Sequence, residues 1–379
     1  MIKKISIITL IIMLIFGMNT NVKAVSSDAN ELYQEQVKQS GVDAIYFSLP
    51  QETREILEES GITSPDINFS EKLSFSLVIS QIKKIAEEKS GDLFTTFSMC
   101  IGMLILYSIL EGINNTNVSQ SLDGVVSSIG TLCVCSSVIF PISKLIEDTA
   151  ELIKGTSGFM LLYVPIMAGL VANVGYQICA SSYYEMLMGI GQALAIISDG
   201  IIIPLLNVFL AISITSTFST GFNFSSVTKG IYQCAKWILS FILGIFVSVL
   251  ASQTFVNYSL DAISTKTIRF TISSFVPIVG SILSETINEF NGSINLLRSG
   301  TGVFIIIVSA YLFIPLLTEC ILWKISFSVL DVISEVLGIT KTKQLFNVFV
   351  NMLSMIIAIL LSVIVILIIS TVIVLLIGR

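Results

Sequence analysis

Four ionisable side chains stand inside or at the edge of long apolar runs: Asp199, Lys236, Glu319 and Glu185. An Asp, Lys or Arg at the middle of a membrane span costs about 2.5–3.5 kcal/mol on insertion scales, so each such residue asks for a reason. Asp199 lies between Ser198 and Gly200 at the centre of one long apolar segment. Lys236 is followed by Trp237 near the start of another, and Glu319 comes shortly after Pro315 with Lys324 beyond it. The chemistry these types could do is a polar path through a bundle, or an intramembrane ion pair such as Asp199 with Lys236. The structural alternative is that Lys236 snorkels to the interface beside Trp237 while Asp199 and Glu319 cap broken helices.

A second constellation runs from Thr265 to Gly302. It contains Arg269, the block Phe275-Val276-Pro277-Ile278-Val279-Gly280, and then Glu285, Glu289 and Arg298. Its apolar part, Phe270 to Leu283, is too short for a bilayer core that needs about 20 residues of helix, and Pro277 and Gly280 interrupt it. A short, broken apolar segment beside full spans is expected to lie in the interface or to re-enter from one side. Arg269, Phe275, Pro277 and Gly280 are the residues this reading depends on.

Other chemistries are poorly supplied. Histidine is absent from the chain, which removes the commonest general base and metal ligand. The six cysteines, Cys100, Cys133, Cys135, Cys179, Cys234 and Cys320, all fall in apolar runs. Cys133-Val134-Cys135 has one intervening residue rather than the two of redox and zinc motifs, so plain packing is expected. No metalloprotease, serine-hydrolase or phosphate-loop motif occurs, and Gly300-Thr301-Gly302 is too little for a nucleotide loop. An intramembrane aspartyl protease needs two facing Asp, and only Asp199 is well placed. No catalytic residue, cofactor, metal or nucleic-acid partner is expected.

The elements that position these residues follow from composition. Of 379 residues 54% are hydrophobic and only 12% charged, about half the charged fraction of a soluble domain; mean hydropathy is +0.90. The expected fold class is all-α: a polytopic membrane helix bundle of about seven spans plus the interfacial or re-entrant segment, preceded by a small helical extracytoplasmic segment. Residues 1–24 read as a secretory signal peptide. Lys3 and Lys4 lead an apolar core that ends at Val22-Lys23-Ala24, with cleavage after Ala24; an uncleaved anchor is the alternative. Residues 25–92 hold 13 of the 26 acids and 6 of the 20 bases, an acidity that disfavours nucleic acid and anionic headgroups. Two helices are predicted there. One spans roughly Pro50 to Ser60, with Ser48 as cap and Gly61 as stop. The other spans roughly Ser70 to Lys89 and carries an apolar stripe of Phe75, Val78, Ile79, Ile82, Ile85 and Ala86. That stripe suits a membrane surface, a partner, or the first short helix.

Residues 93–379 form the multispanning domain. Its spans read as Leu93–Leu110, Val125–Ile146, Phe159–Ser182, Met186–Phe218, Ile231–Val256, Val303–Trp323 and Phe346–Ile377. The fourth is too long for one crossing and could be two half-spans joined at Ser198-Asp199-Gly200, making eight. A cleaved signal places residues 25–92 outside the cytosol, whereas loop Lys and Arg counts run against the positive-inside rule for seven spans and less so for eight.

With its cleavable-type signal, its acidic lead, the Ser226-Val227-Thr228-Lys229 entry to the fifth span and the Arg269…Phe275-x-Pro277-x-Val279-Gly280 block, the chain resembles the stage III sporulation protein AE family of endospore-forming bacteria. The resemblance runs over essentially the whole chain. It implies a non-enzymatic, multispanning subunit of the channel complex joining mother cell and forespore. Such a subunit sits in the outer forespore membrane with residues 25–92 in the intermembrane space, and is required for forespore development after engulfment. Implied partners are the other subunits of that complex, a secretion-type ATPase and ring-forming single-span proteins, together with membrane lipid and further copies of the chain. The family brings no catalytic residues. A stand-alone small-solute permease built on discontinuous helices around Asp199 and Pro277 is the competing expectation.

Overall fold

The structure is a computed structural model that describes residues 41, 43–62, 75–117, 123–218 and 280–376, with short pieces between 227 and 248. Among the described residues all regular structure is helical. The elements are α1 (Asp43–Phe47), α2 (Gln51–Glu59), α3 (Phe75–Asn117), α4 (Asp123–Asn173), α5 (Gln177–Ile197), a π-helical turn (Ser198–Ile202), α6 (Ile203–Phe218), α7 (Gly280–Val336) and α8 (Thr340–Leu376). Five stretches are long and apolar enough to cross a membrane: Ile79–Leu110, Ser128–Asn173, Gln177–Phe218, Gly300–Val336 and Thr340–Leu375. The seven expected spans thus become five helices among the described residues. Ile231–Val256 lies mostly outside them, as do the signal peptide and the Arg269, Phe275 and Pro277 positions.

Several helices run through places where the hydropathy pattern pointed to ends. The predicted surface helix and the first span are one helix, α3, of 43 residues. The second span and most of the third are one helix, α4, of 51 residues, which carries Pro141 and Pro165 in its interior. The charged stretch Lys144 to Lys154 expected between those spans is helical. It is rich in Leu, Ile, Glu, Lys and Ala, with no Gly or Pro to stop it, and these are mostly good helix formers whatever the solvent. The chain instead turns at Val174–Tyr176, inside the third predicted span, where the Tyr176 N–H donates to the Val171 carbonyl (3.3 Å). The half-span hairpin at Asp199 is not formed either. The helix continues through Ser198–Ile202 as a π-turn, so chain direction is kept from α5 to α6.

Side-chain pairs fix the registers. α7 and α8 form an antiparallel hairpin. Its turn closes at Gly338 with φ +77°, a left-handed geometry that glycine adopts without penalty, and Ile339 N–H reaches back to the Ser334 carbonyl at 2.9 Å. Lys343 pairs with Glu335 at 2.7 Å beside this turn. At the far end Gly302 lies so close to Leu375 that an added Cβ would come within 2.5 Å of its side chain. α4 runs parallel to α8, tied by Thr131–Thr342 (3.3 Å), Lys341–Ser128 (3.1 Å) and Tyr163–Ser370 (2.9 Å). α3 lies antiparallel to α4, with Ser137 Oγ 3.5 Å from Met103 Sδ and the Tyr107 ring against Gly130. α5 returns along α4, and Ser157 Oγ donates to the Gly191 carbonyl at 2.5 Å.

The α7–α8 hairpin is the core. From Gly300 to Cys320, and from Val348 to Leu375, no residue is exposed. The largest fully buried side chains include Phe304, Phe313, Phe327, Phe346 and Phe349, and Phe327 packs against both Phe346 and Phe349. Outside this core, α1 touches α4 and α2 touches α7. α2 buries Thr53, Ile56 and Leu57 and ends at Gly61 as expected. Ser48 does not cap it, because its hydroxyl donates to the Ile45 carbonyl instead. The first part of α3 meets α2, as one of the three expectations had it, and only in part by the predicted stripe. Gln81 and Ile85 are the buried positions, and Ile79 and Ile82 are exposed. Gln81 Nε2 donates to Glu59 at 3.3 Å, and Lys84 pairs with the same carboxylate.

A charged level halfway along the bundle

Glu319 is the one sequence-selected acid whose side chain the structure describes within a contact. It does not cap a broken helix, because α7 is continuous through it. Its carboxylate meets Lys89 of α3 at 3.3 Å, with 16% and 39% side-chain exposure respectively. Asp148 of α4 lies close enough to feel both charges, and Lys144 and Glu151 surround it on its own helix. Glu52 of α2 lies within electrostatic reach of Lys89. Three long helices and the short α2 therefore bring opposite charges together at one height.

The registers explain why the charges meet. Antiparallel α7–α8 and parallel α4–α8 place Glu319 and Asp148 at the same height, mid-way along the Gly300–Val336 stretch of α7 and mid-way along the 51-residue α4. α5 pairs with α4 so that the π-turn falls near this height too, and it packs on α4. Asp199 belongs to the turn. The Ser198 hydroxyl is buried and finds no partner among the described residues. Pro315 in α7 lies close by along its helix; a helix-interior proline leaves the carbonyl four residues before it without its usual donor.

The sequence reading chose Glu319 and missed both groups it meets. In the sequence Lys89 ends a separate predicted helix, off its apolar stripe, and Asp148 falls between the second and third predicted spans. The signal that would have found them is periodicity: Lys144, Asp148 and Glu151 recur at helical spacing with no breaker between them. Lys236 lies outside the described residues, so the Asp199–Lys236 pair is not among the contacts seen. Gly280 is the first residue of α7, and Glu285, Glu289 and Arg298 follow within that helix.

Away from this level, the α1–α2 corner is held by Tyr46, whose hydroxyl donates to Glu58 at 2.7 Å. Burial and, after it, the Glu58 carboxylate push the Tyr46 phenol up to about 12. Glu59 is held below the usual carboxylate range by hydrogen bonds, first from Lys84 and then from Gln81. Cys100, Cys135, Cys179 and Cys320 are buried, Cys133 and Cys234 exposed, and all six are free thiols. Among the described residues no group of three His, Cys, Asp or Glu could hold a metal.

The pattern of the family described as Stage III sporulation protein AE matches residues 65–378. A Bacillus subtilis protein named Stage III sporulation protein AE is 21% identical over 239 residues, 61% of this chain and 60% of that protein. The chain thus spans about 60% of the length of this curated relative. No solved structure matches.

Proposed function

Because the chain belongs to the stage III sporulation protein AE family, we propose that it acts as a non-enzymatic, multi-pass membrane subunit of a transenvelope channel complex linking mother cell and forespore. The observation that carries this reading is the coincidence of two findings. The stretch matching a sporulation family, residues 65–378, is also the stretch holding five helices long and apolar enough to span a membrane. The same proposal places the protein in the outer forespore membrane, with residues 25–92 in the intermembrane space. Its partners there are a secretion-type ATPase, ring-forming single-span subunits and further copies of itself. The family description names no catalytic activity.

The permease alternative depends on discontinuous helices. One of its two breaks, at Asp199, is a π-turn inside a continuous helical run, which weakens it. Purification in mild detergent separates the two. A ring, or a stable complex with single-span partners, supports the subunit. A monomer or dimer that moves a solute by itself in liposomes supports the permease and overturns the subunit.

The block around Pro277 gives a genetic test. Pro277→Leu and Arg269→Ala are expected to stop sporulation after engulfment while leaving protein levels normal, read by spore counts and immunoblot. Full spore yield from both variants removes the block from the function.

A further inference from the structure

The bundle is longer than a membrane is thick. α4, at 51 residues, is about 77 Å long at 1.5 Å per residue, against a hydrocarbon core of about 30 Å. We infer that lipid surrounds only one of its two tiers, the one between the Lys89–Glu319 level and the α7–α8 turn. The other tier stands in water, on the same side as α1 and α2.

The outer faces of the helices change character at the charged level. On the turn side they are apolar: Met99, Ile105 and Leu106 of α3, Leu132 and Phe140 of α4, and Val332 of α7 are all exposed. On the same face of α4 the exposed residues then become Ser143, Lys144, Glu147, Glu151 and Lys154. Past the charged level the surface carries most of the exposed charges, with single apolar residues between them. α2 turns Glu52, Glu55, Glu58 and Glu59 outward, and α3 exposes Lys83, Lys84, Glu87 and Glu88. The exposed residues of α5 include Gln177, Ser181, Glu185 and Gln192, beside Ile178, Tyr184 and Ile196. Burying that many charges in hydrocarbon would cost about 2.5 kcal/mol or more for each of several of them. Most large apolar residues of this second tier lie inside instead, on the α7–α8 hairpin, where neighbouring helices cover them, while Leu161, Leu162, Ile178 and Ile196 stand exposed among the charges.

The height of the apolar tier matches lipid. On α4 the distance from Ser128, bonded to Lys341, to Asp148 is about 30 Å at 1.5 Å per residue. Lysines sit at both borders, Lys83, Lys84, Lys89 and Lys144 at one and Lys341 and Lys343 at the other. Four of them are matched by carboxylates, Lys83 by Glu87, Lys84 by Glu59, Lys89 by Glu319 and Lys343 by Glu335, and long side chains at such a border can snorkel. A belt of hydrocarbon height, edged in charged residues on both sides, fits phospholipid rather than a second copy of the chain.

The test uses the unmodified full chain in phosphatidylcholine/phosphatidylglycerol nanodiscs, with products mapped by peptide mass spectrometry. Hydroxyl radicals made in the water are expected to oxidise Tyr184 and Leu162 of the second tier, both exposed, while Met99, Phe94 and Phe140 stay unmodified although they are at least as exposed. A phosphatidylcholine carrying a diazirine in its acyl chain is expected to label α3, α4 and α7 on the belt and to leave the outer face of α5 unlabelled. Acyl-chain labelling of the α5 face at the level of the belt overturns the inference. So does radical oxidation of Met99 equal to that of Tyr184. A belt that neither reagent reaches is covered by protein, and this also overturns it.

Discussion

Lys89 and Glu319 come from opposite ends of the chain and meet because two long helices put them at one height. Glu319 is the more buried partner, so its loss leaves a half-exposed lysine, while the loss of Lys89 strands a mostly buried carboxylate. Lys89→Ala is therefore expected to destabilise more than Glu319→Gln, by about 1–3 kcal/mol against about 1 kcal/mol or less. The swap Lys89→Glu/Glu319→Lys should recover part of the loss, measured as a double-mutant cycle on thermal unfolding in detergent. At Tyr46 the sign is that of an acid whose folded pKa lies above its free value, raised to about 12 from 10.0. Its stabilisation is complete below pH 10 and is lost as pH rises from there through about 12. Tyr46→Phe should flatten that alkaline loss, read by the pH dependence of unfolding relative to the parent chain. At this scale the sequence singled out Glu319, which the structure pairs with Lys89. It could not supply Lys89, because a lone charge on a helix gives no sign of which distant helix will face it.

Apolar runs mark something other than helix ends. Hydropathy reports the solvent a helix meets, whereas propensity and breakers decide where it stops. Gly61 and Gly338 end their helices, both in the left-handed region. Ser90-Gly91 and the charged Lys144–Lys154 stretch end nothing. The break foreseen at Asp199 was half right: the local geometry is irregular there, but as a π-turn it absorbs one extra residue without reversing the chain. Deleting Gly200 should therefore convert Ser198–Ile202 into ordinary α-helix and leave the packing of α5 and α6 in place. Membrane accumulation and monodispersity on gel filtration should stay at parental level. Deleting Gly189, within regular α5 beside the close Gly191–Met160 contact, shifts every later side chain on that helix by about 100° and should abolish accumulation.

For the whole molecule, the all-helical class and the membrane-type helices were readable from composition alone, because so few charges cannot clothe a soluble surface. The number of crossings was not, since a helix twice as long as a bilayer core looks in sequence like two shorter ones. With lipid around a single tier, the chain should unfold at the highest temperature in bilayers whose hydrocarbon core is near 30 Å. It should lose stability in markedly thicker ones, where mismatch costs fractions of a kcal/mol per Å; a series of phosphatidylcholines of rising acyl length reads this directly. α4 carries one more consequence. It is helical over all 51 residues and laced to α8 near both ends by Thr131–Thr342 and Tyr163–Ser370, so it can work as a lever whose weak points are Pro141 and Pro165. Tilting one end of a straight helix of this length by about 10° swings the other by about 13 Å. A push delivered at either end would thus arrive at the opposite one as displacement, less whatever bending those two prolines take up.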